Sequence, residues 1–154
     1  MWFRNPARLK NRNMLQWTEK FETGHPQIDF QHKMLINYIN KLDGMAHTTN
    51  PTRQEVEFII NLVDFVETYT TVHFKHEESC IKRHQCAAYT ENKFAHQEFL
   101  RYYADFKRRL ANEGCRPEVL RDLHENCTAW IQGHILTIDI KLKDCLAREA
   151  VEAH

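Results

Sequence analysis

Residues 70–80, T-T-V-H-F-K-H-E-E-S-C, place two histidines and two glutamates in a stretch otherwise patterned as a buried helix face. His73 and Glu77 are four residues apart, so a helix carries both on the same side. Imidazole and carboxylate groups bind transition metals and also transfer protons. Burying either group without a partner costs free energy. The stretch therefore indicates a buried site that carries out chemistry.

Hydrophobic periodicity identifies the elements that must position such a site. Thr52 and Glu55 have the spacing of a capping box at the start of a helix. Only four glycines and four prolines are available for tight turns, and short connections between long helices favour antiparallel neighbours. We therefore expect an all-α fold, an antiparallel up-down-up-down four-helix bundle with an N-terminal arm. The expected helices cover residues 28–45, 51–83, 91–112 and 117–147, and the expected divisions are an arm over 1–16, the bundle over 17–147 and a tail over 148–154.

Each predicted helix carries polar residues on its inward-facing apolar stripe. Those of the first and third helices lie near the helix start, and those of the second and fourth lie towards the helix end, so antiparallel packing brings all of them to one end of the bundle. A single core histidine is usually a packing residue, but four histidines and two carboxylates that converge predict a metal site. The six candidate ligands are His32, His73, Glu77, His96, His134 and Asp139.

Composition excludes several other classes of function. Lys plus Arg and Asp plus Glu both number 21, so no net field attracts the chain to nucleic acid or to an anionic membrane. No stretch approaches the length of a membrane span, and the basic first residues lack the apolar run of a signal peptide. That basic start is expected to be a flexible arm, with a surface-docking segment as the alternative. The five cysteines form no C-x-x-C pair, which predicts reduced cysteines in a cytoplasmic protein.

Three motifs resemble those of a known family. They are D-F-Q-H-K-M-L at 29–35, H-F-K-H-E-E at 73–78 and W-I-Q-G-H-I-L-T-I-D at 130–139. In order and spacing the chain is similar to the hemerythrins, and to bacteriohemerythrins in particular, over about residues 17–146. The resemblance implies two iron ions with an oxo or hydroxo bridge. It also implies that His32 and His73 bind one iron, that His96 and His134 bind the other, and that Glu77 and Asp139 bridge the pair.

The resemblance further implies a dry pocket for a gas molecule beside the irons. Four apolar residues are candidates for its wall: Phe99, Trp130, Ile131 and Ile135. The alternative for each is an ordinary place in the core. His76 and Glu78, which neighbour the proposed ligands, are expected to be partly solvated, with Glu78 as a surface charge.

One position departs from the family's pattern. The third helix reads N-K-F-A-H, which leaves Asn92 where the resemblance implies a histidine. Asn92 is expected to bind through its amide oxygen or to hold a water molecule. The alternatives are Glu91 and Tyr89, which reach inward if the start of the helix is displaced.

Three classes of function follow from these residues. The first is a protein that binds dioxygen, or another small diatomic or anionic ligand, as a carrier, store or sensor; a sensor also needs a separate protein partner. The second is a di-iron enzyme that acts on dioxygen, peroxide or nitric oxide, which Asn92 favours because it leaves a further open position. The third is a bundle with a degenerate site that binds other metals or none.

Overall fold

A computed structural model describes residues 14–46 and 49–153, and all regular secondary structure in this part of the chain is helical. This confirms the predicted all-α four-helix bundle. The helices are α1 (Pro26–Met45), α2 (Arg53–Arg83), α3 (Tyr89–Glu113), α4 (Pro117–His134) and α5 (Lys141–Glu152), with a short 3₁₀ helix at Glu19–Phe21 and a π-helical segment at Ile135–Asp139 between α4 and α5.

Local capping explains where the first two long helices begin. The His25 side chain accepts a hydrogen bond from the backbone N–H of Ile28 at the start of α1. At the start of α2, Thr52 and Glu55 form the predicted capping box, with bonds of 3.2 and 2.6 Å. These side chains satisfy backbone N–H groups that have no partner within the helix.

Contacts between neighbouring helices show that they are antiparallel. As residue numbers rise along one helix, the numbers of the contacting residues fall along its neighbour. The pairs are Gln31–His73 and Tyr38–Phe65 for α1 and α2, Glu67–Lys107 and Glu78–His96 for α2 and α3, and His96–His134 and Arg109–Asp122 for α3 and α4. The pairs Asn40–His124 and His32–Asp139 show the same for α1 and the fourth helical stretch.

The fourth helical stretch differs from the predicted uninterrupted helix over 117–147. It changes to π-helical geometry at Ile135–Asp139 and continues as α5 to Glu152, so the predicted limit at 147/148 falls within a helix. The predicted arm lies mostly outside the described residues, as do His47, Thr48 and His154. The domain limits stay predictions. Among the described helices, none has the length and apolar character needed to cross a membrane.

The cysteines differ from the sequence expectation. Cys86 and Cys145 form a disulfide between the α2–α3 turn and α5, with 5.8 Å between their Cα atoms, so the expectation that all cysteines are reduced is wrong for this pair. A sequence separation of 59 residues carries no local signature of pairing. The pair belongs to a small hydrophobic cluster apart from the main core. This end cluster consists of Ile28, Cys80, Ile81, Cys86, Leu142 and Cys145.

Candidate metal centre

The structure brings all six candidate ligands together inside the bundle. Each is at most 3% exposed. Their nitrogen and oxygen atoms form two groups suited to a metal ion, in each of which all the atoms lie within 4.8 Å of one another, and Glu77 belongs to both groups. One group is His32, His73 and Glu77, and the other is Glu77, His96, His134 and Asp139.

Glu77 reaches both groups through its two oxygens. Its Oε1 lies 3.3 Å from Nε2 of His32. Its Oε2 lies 3.1 Å from Nε2 of His96 and 3.9 Å from Nε2 of His73. The carboxylate therefore has the position of a bridge between two sets of imidazoles.

Asp139, in the π-helical segment, also lies between the two groups of histidines. Its Oδ1 lies 3.0 Å from Nε2 of His134, and its Oδ2 lies 3.3 Å from Nε2 of His32. The Nε2 atoms of His96 and His134 are themselves 3.1 Å apart. Both carboxylates thus contact histidines from both groups.

The π-helical segment explains how His134 and Asp139 reach the same site from five residues apart. The backbone N–H of Ile140 donates to the carbonyl of Ile135 over 3.1 Å, which is an i to i+5 hydrogen bond. A π-helix has more residues per turn than an α-helix, so residues five apart share a face. The segment therefore places Asp139 over the turn that carries His134.

Asn92 lies inside the site and holds Asp139. It is fully buried, and its Nδ2 donates a 2.8 Å hydrogen bond to Oδ1 of Asp139. Glu91 instead forms a 2.6 Å ion pair with Lys141 at the surface, and Tyr89 packs against the end cluster. Three residues were considered for the place of the missing histidine, and of these Asn92 alone contacts a candidate ligand.

Side chains outside the six orient two of the imidazoles. Nδ1 of His73 lies 2.8 Å from Oε1 of Gln31, which also contacts Nδ1 of His76 at 3.1 Å. Nδ1 of His96 lies 2.9 Å from Oε1 of Glu78. Because these oxygens only accept, each Nδ1 donates, and Nε2 of His73 and His96 is directed at the site. Glu78 was expected to be a surface charge, but it is partly buried and orients the ring of His96.

Aromatic rings stack on the ring faces of two candidate ligands, His96 and His134. Phe74 stacks on His96 with ring centroids 3.7 Å apart, and Trp130 stacks on His134 at 4.3 Å. Phe99 contacts Trp130 at 4.4 Å. Ile131 and Ile135 are buried in the main core with them. The role of Phe99, Trp130, Ile131 and Ile135 as a gas pocket stays a prediction, and Phe74 was not among the residues predicted from the sequence.

Burial and the charges within the cluster shift the pKa values of its members in different directions. Burial by itself raises the pKa of Glu77, but the close contact with His32 and the other nearby histidines hold it well below its usual value. Burial lowers the pKa of His73 to about 3, against the opposing effect of Glu77. For His96 burial also lowers the pKa, but its contact with Glu77 and its hydrogen bond with Glu78 outweigh this and raise the pKa to about 9. An ionised Glu77 and a neutral His73 are the forms that bind cations, whereas His96, with its raised pKa, must release a proton to bind one.

The residues present fit a metal pair because their polar atoms need partners that the protein does not supply. Buried atoms without a hydrogen-bond partner include both oxygens of Glu77, Oδ2 of Asp139, Oδ1 of Asn92 and Nδ1 of His32. Such atoms are rare in folded proteins, and each costs about 1–3 kcal/mol. A cation between the two groups satisfies the carboxylate oxygens, and imidazole with carboxylate suits iron and neighbouring transition metals.

Comparison with known proteins gives a consistent result. A family model described as the hemerythrin HHE cation binding domain matches residues 23–146. The chain is 29% identical over 136 residues to a bacteriohemerythrin of Methylococcus capsulatus, covering 87% of this chain and 98% of the relative. It is 29% identical over 127 residues to hemerythrin subunit 1 of Golfingia vulgaris, and 25% identical over 127 residues to a myohemerythrin of Sipunculus nudus. Each of these two alignments covers 82% of this chain and 89% of the relative.

Proposed function

Because the chain belongs to the hemerythrin family, we propose that it is a non-haem di-iron protein that binds dioxygen reversibly as a carrier, store or sensor. The observation that supports this best is the buried set of four histidines and two carboxylates in two groups that share Glu77. Cations in the two groups would satisfy the buried carboxylate oxygens that have no partner within the protein.

In this proposal each iron is held by two imidazoles. His32 and His73 would hold one iron and His96 and His134 the other, Glu77 and Asp139 would contact both, and the pair would carry an oxo or hydroxo bridge. When bound, a ferrous pair supplies the electrons that dioxygen binding requires and that the side chains lack.

The protein's own residues position the ligands and keep the site dry. Gln31 and Glu78 accept hydrogen bonds from His73 and His96 and so fix the ring orientations. Phe74 and Trp130 cover ring faces of His96 and His134. A ligand that enters this apolar surrounding meets little water, which favours reversible binding over further reaction.

A di-iron enzyme acting on dioxygen, peroxide or nitric oxide is the second candidate, and Asn92 is the observation that favours it. The position contributes an amide that donates to Asp139 and does not contribute a further imidazole. Iron held by His96 and His134 would then have one imidazole donor fewer and would leave room for an exogenous ligand. An open position on a metal is a requirement for catalysis at that metal.

Metal analysis with visible spectroscopy tests the proposal. We expect two irons per chain and charge-transfer bands of a bridged ferric pair in aerobically purified protein. His73→Ala and Glu77→Gln should each lose iron, and His124→Ala is the matched control because this buried histidine contacts Asn40 and Thr128 and none of the six ligands. Zinc alone, or no metal, in the wild-type chain would reject the proposal.

Oxygen titration of the ferrous protein separates the two candidates. A carrier, store or sensor returns to its original spectrum when oxygen is removed, over repeated cycles. An enzyme instead consumes added peroxide or nitric oxide with turnover, and that result would favour the second candidate.

A further inference from the structure

We propose that the Cys86–Cys145 disulfide is a thiol-exchange site, at which a low-molecular-weight monothiol attaches to Cys145 and releases α5 from the α2–α3 turn. The pair lies outside the metal centre, and the exchange chemistry does not depend on the proposed function. It rests on the position of the disulfide, a surface cavity beside it and the charges around that cavity.

A surface cavity borders one cysteine of the pair. The cavity has a volume of about 320 Å³ and is open to solvent. Cys145 forms part of its wall, whereas Cys86 does not. Both cysteines are 5% exposed, but only Cys145 borders the cavity, so a small thiol that enters it approaches Cys145 rather than Cys86. The lining residues are His84, Gln85, Cys145, Arg148, Glu149 and Glu152.

The charges around the cavity suit exchange at Cys145. Nη2 of Arg148 lies 3.4 Å from Sγ of Cys145. Of the two acidic residues, Glu149 is engaged by Nδ1 of His84 at 2.6 Å, while Glu152 is exposed at the end of α5. A cation beside a cysteine sulfur stabilises the thiolate form. Arg148 is therefore placed to stabilise Cys145 when it leaves as a thiolate in the second step.

The exchange proceeds in two balanced steps. A thiolate of the small thiol attacks Sγ of Cys145, the disulfide bond breaks, and Cys86 leaves as a thiolate that takes a proton from water. A second molecule of the thiol attacks the sulfur of the attached group, and Cys145 leaves. The net change is two small thiols oxidised to their disulfide and one protein disulfide reduced to two cysteines.

The disulfide connects the chain segments that carry the metal centre. Cys86 lies between Glu77 on α2 and Asn92 on α3, and Cys145 lies shortly after Asp139. The Asn92–Asp139 hydrogen bond crosses the same interface. Cleavage removes a covalent constraint between these segments, so the position of Asp139 becomes less well fixed. We therefore expect the oxidised pair to hold metal more tightly than the cleaved pair.

Mass analysis tests the exchange itself. Purified protein is incubated with reduced glutathione, quenched in acid, and alkylated after unfolding. Before incubation only Cys80, Cys115 and Cys127 should be alkylated. Afterwards we expect glutathione on Cys145 and alkylation of Cys86, and in Arg148→Gln the attached glutathione should be lost more slowly to a second thiol molecule, because Cys145 then leaves without a neighbouring cation. Attachment at Cys115 alone, or no change at Cys86 and Cys145, would overturn the proposal.

Metal release tests the link to the centre. Loss of metal to an excess of chelator is compared, without added thiol, in the wild-type chain, the Cys86→Ser/Cys145→Ser double variant and Cys80→Ser. The double variant should release metal about tenfold faster, because no covalent bond then holds the segment that carries Asp139 against the α2–α3 turn. Cys80→Ser removes a cysteine from the same end cluster but keeps the pair, and it should match the wild type.

Equal release rates in all three proteins would reject the link to the metal centre. If the double variant does not fold, the wild-type protein with glutathione bound at Cys145 replaces it in the same measurement. If the chain holds zinc and the proposed function fails, the alkylation pattern still tests the exchange.

Discussion

At the scale of single residues, Asn92 is the position at which the candidate metal centre departs from the family's pattern. Its amide donates to Oδ1 of Asp139, and its own Oδ1 has no protein partner. The side chain therefore fixes a carboxylate, where the resemblance implied a metal-binding nitrogen. In the proposed site both irons then have two imidazoles each.

Asn92→His is expected to strengthen retention of the iron held by His96 and His134. The new imidazole adds a donor, and we expect release of that iron to a chelator to slow about tenfold, equivalent to about 1.4 kcal/mol. The oxygenated form should last longer, and any peroxidase or nitric-oxide-reducing activity should fall. Asn92→Ala is the control, because it removes the bond to Asp139 without adding a donor. Equal release from Asn92→His and wild type would show that another group already fills the position.

Ile131→Thr tests whether the apolar wall keeps the site dry. If Ile131 lines the gas pocket, a hydroxyl there admits water, and autoxidation of the oxygenated protein in air should speed up about tenfold. Ile59→Thr is the matched control, because Ile59 is equally buried in the main core but is not next to a candidate ligand. Visible absorbance followed over time measures both. The same rate in both variants would assign Ile131 to the ordinary core.

The sequence was sufficient to predict residues on the inward stripes, because their period is that of a helix. His32, His73 and Glu77 belong to this class. Glu78 and Phe74 do not, because each is adjacent to a ligand and its direction depends on the neighbouring helix. The signal available for Glu78 was its position opposite the start of α3 in an antiparallel pair, where His96 lies.

At the scale of elements, the π-helical segment is the feature that the sequence pattern did not reveal. Periodicity over a long window averages across one extra residue, so the fourth helix was predicted as continuous. The five-residue spacing of His134 and Asp139 was the available signal. Such segments often occur at functional sites, and here the segment directs Asp139 towards the histidines.

Insertion of an alanine between Thr137 and Ile138 should disrupt the metal centre while leaving the helix intact. One more residue turns Asp139 by about 100° relative to His134, so the carboxylate leaves the site. Thr137 is exposed, so no buried side chain is replaced, but the buried Ile138 and Leu142 turn together with Asp139. We expect loss of at least one metal ion per chain, with helical circular dichroism retained.

Deletion of Thr137 is the matched control for that insertion. The deletion shortens the spacing of His134 and Asp139 from five residues to four, at which both still share a face of an α-helix. Metal content should therefore be better preserved than in the insertion variant. If both variants bind metal as well as the wild type, the π-helical segment has no role in positioning Asp139.

At the scale of the whole molecule, antiparallel packing of four helices explains why six ligands distant in sequence converge. This arrangement followed from helix lengths and short connections. The disulfide did not, because it depends on how the first half of α5 packs against the α2–α3 turn. Because of the disulfide, reduced cysteines no longer support a cytoplasmic location. The cytoplasmic location and a protein partner both stay predictions.

Removal of the metal should lower the stability of the whole bundle. Ions that bind only the folded chain stabilise it by about 2.7 kcal/mol when present at 100 times their dissociation constant, which corresponds to about 10 °C in melting temperature for a domain of this size. Without them, Glu77 and Asp139 keep buried oxygens that have no partner. Thermal melts of the loaded and chelated protein measure the difference, and adding ferrous iron back without oxygen should restore it. Glu77→Gln should melt at the same temperature with and without chelator, because it has already lost the shared ligand. Coincident melts for loaded and chelated wild-type protein would show that the six residues do not hold a stabilising metal pair.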